Sequence, residues 1–128
     1  MNELIAIGLG GALGSVARYL LGESVTGVMG DAFPWGIFVV NVLGCLAIGV
    51  LFVLLVEQYP SGGVWRSLFM VGFLGAFTTF STFSLQTLAL VETGKWLAAT
   101  SYAMGSLLSC LIAVAVGVWL TRLMSGSS

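Results

Sequence analysis

Charged side chains punctuate this chain so sparsely that cutting it at them leaves four long apolar stretches, residues 4–21, 33–56, 67–91 and 96–121, with Arg18 inside the first. A hydrocarbon core of about 30 Å is crossed by roughly 20 helical residues, and each stretch reaches or approaches that length. The strands of a membrane barrel would show segments of about ten residues alternating apolar and polar, and no such alternation is present. The pattern therefore predicts four transmembrane helices. All four tryptophans, Trp35, Trp65, Trp96 and Trp119, fall near a stretch end, as do Tyr19 and Tyr59. Amphipathic rings favour the interface, so the boundaries have a second support. The connections are short: 22–32 with Gly27, Gly30 and Asp31, 57–66 with Pro60-Ser61-Gly62-Gly63, and Glu92-Thr93-Gly94-Lys95. They leave no room for a soluble domain, so residues 1–128 are expected to form one four-span unit of the all-α integral membrane class. The leader Met1-Asn2-Glu3 has no basic side chain and no small-residue cleavage pattern follows the first stretch, so that stretch is expected to stay as a span.

Composition sharpens this picture. Of 128 residues, 59% are hydrophobic and 7% charged, where a soluble domain carries about a quarter charged. Four Lys+Arg against five Asp+Glu, a net −1, give no footprint for nucleic acid. Histidine is absent, and with it the usual general base and commonest metal ligand; no HExxH and no GxxxxGK[ST] occurs. Nothing here marks an enzyme. Cys45 and Cys110 sit inside apolar runs without a CxxC pair and read as small packing residues.

The few charges still inform orientation. With four spans, the N-terminus, second loop and C-terminus share one side and carry Arg66 and Arg122, while the first and third loops carry Lys95 and the loop-proximal Arg18. Orientation follows the cytoplasmic Lys/Arg excess, and a chain with none can insert both ways up. Dual insertion would make an antiparallel dimer, with its two-fold axis in the membrane plane, the natural assembly. An N-terminal amine or a lipid effect that breaks the tie is the alternative.

Inside the spans, polar groups are few. The first span has Gly8, Gly10, Gly11, Gly14 and Ser15, whose Gly10-xxx-Gly14 spacing permits close helix approach. Arg18, late in that span, is either a snorkelling anchor or a charge that concentrates anions at a pore mouth. The second span has Asn41, then Gly44 and Cys45 at helical spacing; the amide reads as an interhelical hydrogen bond or as a donor to an ion path. The third is unusual, because Gly72-Phe73-Leu74-Gly75-Ala76-Phe77-Thr78-Thr79-Phe80-Ser81-Thr82-Phe83-Ser84 sets glycines and hydroxyls in mid-membrane. Such a segment can leave helical geometry where protein or an aqueous cavity satisfies the backbone. The fourth has Tyr102, Ser106 and Ser109 in a narrow arc with Cys110 beside it, for packing or for a line of donors. No Asp, Glu, His or Lys lies in any span core, which disfavours proton-coupled transport and leaves a donor-rich set suited to a small anion moving passively.

Along nearly its whole length the chain resembles the Fluc (CrcB-type) prokaryotic fluoride channels, through Gly14-xxx-Arg18-Tyr19, Val40-Asn41-Val42-Leu43-Gly44 and Gly72-Phe73-Leu74-Gly75-Ala76-Phe77-Thr78-Thr79-Phe80-Ser81-Thr82-Phe83. The resemblance implies a fluoride-selective channel for passive export across the inner membrane of a prokaryote. It also implies an antiparallel dual-topology homodimer with two parallel pores and a third helix broken near its middle. A structural Na⁺ would sit at the dimer centre on backbone carbonyls, here those of Gly75 and Thr78. Phe80 and Phe83 would line the anion path with Asn41, and the fourth-span track would map to Tyr102 and Ser106. Where the family often continues that track with a further hydroxyl, this chain has Cys110. The chemistry is consistent: Asn41, Ser81, Thr82 and Ser106 can offer N–H and O–H in place of water, and the electropositive edges of Phe80 and Phe83 can touch an anion without trapping it. A small four-helix multidrug exporter, the alternative, needs a carboxylate midway in the first span, where this chain has residues 11–15 without one. A non-conducting membrane assembly subunit is the third class.

Overall fold

The structure, a computed structural model, describes residues 2–60 and 63–126. Among these, every regular element is helical. α1 runs Glu3–Met29, and α2 runs Trp35–Phe52 and continues as wider π-helical turns over Val53–Gln58. α3 (Gly63–Arg66), a π-helical stretch Ser67–Leu74, the short α4 (Gly75–Phe77) and α5 (Phe80–Glu92) follow, and α6 closes the chain at Trp96–Met124. Four rods among the described residues are long and apolar enough to cross a membrane: Glu3–Met29, Trp35–Gln58, Gly63–Glu92 and Trp96–Met124. The chain is a multi-pass membrane protein.

α1 begins where the Asn2 side chain caps the Leu4 amide at 2.7 Å, with Glu3 favourably placed in the first turn. It outlasts the apolar stretch that suggested it by about two turns. Ser24 and Thr26 turn their hydroxyls back onto the carbonyls of Leu20 and Gly22, at 2.7 and 2.9 Å, so the polar end satisfies itself within the helix. Gly30, at φ 84°, then ends it.

Glycine sets how closely the rods pass. Ala6, Gly10 and Gly14 form one buried stripe on α1. A Cβ on Gly10 would stand 2.2 Å from the Leu68 carbonyl oxygen, and one on Gly14 2.1 Å from that of Phe73. α1 and the Ser67–Leu74 stretch are thus in backbone contact, the close approach that the Gly10-xxx-Gly14 spacing suggests. α2 and α6 cross the same way, where a Cβ on Gly49 would stand 2.5 Å from the Val114 carbonyl oxygen. Glu57 and Arg122 tie the ends of this pair through a two-pronged ion pair, its Nε–Oε1 arm 3.0 Å long.

Among the described residues the buried apolar clusters are small: Val40 with Leu74 and Phe77, and Leu90 with Ala99 and Tyr102. Large apolar side chains such as Leu13, Val28, Leu97 and Phe80 face outward. Without hydrocarbon or another chain against it, such a surface would be untenable.

Candidate functional site

Between α4 and α5 the backbone straightens for two residues. Thr78 (φ −85°, ψ 156°) and Thr79 (φ −149°, ψ 125°) are extended. Asn41, on α2, holds this segment with both ends of its amide: Nδ2 donates to the Thr79 carbonyl at 3.0 Å, and the Thr79 amide donates to Oδ1 at 2.8 Å. The Thr79 hydroxyl meanwhile caps α5 by accepting from the Thr82 amide at 3.2 Å. In an uninterrupted helix those two amides would bond the carbonyls four residues earlier, on Gly75 and Thr78. Both carbonyls therefore lose their helical donors. Close by, Gly44 leaves the room that Thr78 occupies, since a Cβ there would meet Thr78 Cγ2 at 2.2 Å.

One cavity borders this segment, and a larger one lies farther along α5. The smaller, about 240 Å³, is lined by Asn41, Thr78, Thr79, Phe80, Phe83 and Ser106, with Cys45 and Cys110 beside them. Its wall is mostly apolar, with donors at few points. Ser106 is buried and its hydroxyl has no partner among the described residues. Asn41 spends one of its two amide N–H groups on Thr79 and keeps the other. The Phe80 and Phe83 rings stand 5.5 Å apart, and Phe83 continues at 5.1 Å onto the ring of Tyr102. Phe80 remains 78% exposed on the outer face of the chain, so the cavity opens there.

The larger cavity, about 480 Å³, lies by the first connection and is lined by Arg18, Glu23, Asp31, Thr82 and Gln86 among others. The Nε of Arg18 is buried there without a partner among the described residues. Tyr102 links the two spaces: wholly buried, it donates its hydroxyl to Gln86 Oε1 at 2.7 Å, while its ring touches Phe83 and meets Phe33 edge-on at 5.4 Å.

Of the residues picked out from sequence, Asn41, Phe80, Phe83 and Ser106 thus share one cavity, and Arg18 and Thr82 share the other. Tyr102 stands between them. Ser81 lies exposed and outside both, its hydroxyl 3.4 Å from that of Thr79, and Gly75 is exposed on the outer face. Three features escaped the sequence reading. Gln86, one helical turn beyond Thr82, is an amide in an apolar span and could have been found by that spacing. The acids Glu23 and Asp31 beside Arg18, and the meeting of Cys45 with Cys110, depend on which helix faces meet, and periodicity carries no signal for that.

Comparison with known proteins bears on this arrangement. The family described as "CrcB-like protein, Camphor Resistance (CrcB)" matches residues 5–118. The chain belongs to this family. It is similar to a protein of Hahella chejuensis named "Fluoride-specific ion channel FluC", 48% identical over 121 residues, covering 94% of this chain and 95% of the relative. Relatives of the same name from Chloroflexus aurantiacus (42% identical; 98% of this chain, 100% of the relative) and Magnetococcus marinus (45%; 94% and 98%) agree. These are names of ion channels and not of enzymes, and the match spans all four membrane-crossing rods.

Proposed function

We propose that this chain forms a fluoride-selective channel through which fluoride leaves the cell passively. The observation that carries the reading is the cavity that gathers Asn41, Phe80, Phe83 and Ser106, with an unpartnered hydroxyl and a spare amide N–H among aromatic rings. Fluoride holds its water strongly, so a path must replace that water with donors at each step. Ser106 and Asn41 supply O–H and N–H. The ring edges of Phe80 and Phe83 supply weak positive charge, and with no cation on this cavity's wall the ion is not held fast. Thr82 and Gln86 extend the donors toward the larger cavity, which serves as a vestibule. Arg18 places its charge there, tempered by Glu23 and Asp31.

The assembly that completes the path is an antiparallel homodimer of dual topology, carrying two pores in the inner membrane. Three features support it: the even Lys/Arg distribution, the apolar outward faces, and the cavity's open side at Phe80. In it the third span acts as a broken helix. Its carbonyls at Gly75 and Thr78, both deprived of helical donors, suit a hard monovalent cation, and a structural Na⁺ at the dimer centre fits them. Such an ion would supply fixed positive charge between the two broken segments, while Asn41 and the Thr79 cap keep the carbonyls free.

The test is purified protein in liposomes loaded with potassium fluoride. Adding a potassium ionophore should release fluoride rapidly and leave chloride inside. Efflux that needs a proton gradient, or none above empty vesicles, overturns the reading.

A further inference from the structure

Two free thiols meet on the wall of the smaller cavity. Cys45 on α2 and Cys110 on α6 both line it, and neither is in a disulfide. The helix crossing brings them together. Cys45 lies one turn before Gly49, and Cys110 one turn before Val114, on the seam where a Cβ at Gly49 would stand 2.5 Å from the Val114 carbonyl oxygen. Both sulfurs are held on helices in backbone contact. They are also the chain's only cysteines. A thiol is a poor donor for a hard anion, so the fluoride path makes little use of this pair. Sulfur is soft and polarizable, and paired thiolates select soft metal ions.

We propose that Cys45 and Cys110 form a two-thiolate site for a soft, two-coordinate d¹⁰ cation, and that filling it stops passage through the cavity. For Hg(II), two S–Hg bonds form, two protons leave and no electrons change hands. The metal then lies beside Phe83 and Ser106 and ties α2 to α6. The block rests on reading this cavity as the fluoride path, whereas the metal site does not.

The experiment exposes purified protein to Hg(II), removes excess with a monothiol competitor, and counts retained metal per chain by intact mass. In parallel, fluoride efflux from liposomes is followed with Hg(II) on both sides, each variant normalised to its own untreated rate. Wild type should retain one Hg(II) per chain with the loss of two protons, lose at least tenfold in efflux, and recover with excess dithiothreitol. Cys45→Ser and Cys110→Ser, checked for folding by size exclusion, should each retain at least tenfold less metal against the competitor. Two metals per wild-type chain, or a single variant that retains metal as well as wild type, overturns the site. One bridged metal with unchanged efflux overturns the block, and with it this cavity's place on the path.

Discussion

Asn41 shows how one side chain can serve the backbone and still face a cavity. Its carbonyl and one N–H satisfy Thr79, and removing them would leave a part-buried amide and carbonyl unpaired, a loss of about 1–3 kcal/mol per group. Asn41→Asp keeps the acceptor for the Thr79 amide. It replaces the donor with a carboxylate oxygen that opposes both the Thr79 carbonyl and any anion. Fluoride efflux per folded protein should fall strongly. Phe80→Ile separates ring chemistry from packing more cleanly, because at 78% exposure the Phe80 ring contributes little to the protomer core. The fold should survive with a change below about 1 kcal/mol in stability, while efflux per folded protein, read in liposomes against material recovered by size exclusion, should drop. Phe83→Ile should also lower efflux, with a larger stability loss, since it removes contacts with Phe80 and Tyr102. Unchanged efflux in all three variants would return these residues to packing. At this scale Asn41 was marked by residue type, as an amide in an apolar span, and Phe80 and Phe83 by the family resemblance. It was silent on Tyr102 bonding Gln86, because that contact joins two helices and depends on their rotation.

Elements here are set by glycine and hydroxyl more than by hydrophobic burial. The four rods were legible because apolar length announces them, and Gly10-xxx-Gly14 announced a close contact because small residues at that spacing leave a groove. The end of α1 was less legible: Ser24 and Thr26 look like loop residues until their hydroxyls are seen bonding to Leu20 and Gly22. The extended residues Thr78 and Thr79 were suggested by the density of glycine and hydroxyl groups around them, but their clamp by Asn41 was not. Two expected outcomes follow. Gly14→Ala forces a Cβ to within 2.1 Å of the Phe73 carbonyl oxygen, so α1 must part from the third rod; a loss of at least about 1–3 kcal/mol should appear as a lower thermal transition. Asn41→Leu frees the Thr79 amide to rejoin the Gly75 carbonyl. If Na⁺ rests on the carbonyls of Gly75 and Thr78, the wild type should melt higher in Na⁺ than in a large organic cation, and Asn41→Leu should narrow that difference. Equal melting of the wild type in both salts removes the ion.

At the scale of the whole molecule the Lys and Arg residues favour neither orientation, and the proposed dual insertion has a measurable consequence. Arg66 and Arg122 on one side face Lys95 and Arg18 on the other. The ion pair of Arg122 with Glu57 does not unbalance them, because topology counts Lys and Arg near span ends and gives acids little weight. The outer face around Phe80 and Gly75 is unsuited to water, and a second copy inserted upside down would bring like surfaces together about an axis in the membrane plane. A protease-cleavable tag placed after Ser128, which lies outside the described residues, should then be cut from outside intact cells in about half the molecules, the even split that an unbiased insertion implies. Three lysines inserted in the Glu92–Lys95 turn should drive nearly all copies to one orientation. If the channel is an antiparallel dimer, fluoride efflux should fall with them, because parallel copies cannot form it. Co-expressing a second version with the lysines moved to the 57–66 connection should restore it, since the two biased populations then supply opposite orientations. A tag reached from one side only in the unmodified chain, or undiminished efflux from a strictly one-sided population, would show that a single orientation suffices and that the two-fold axis does not lie in the membrane.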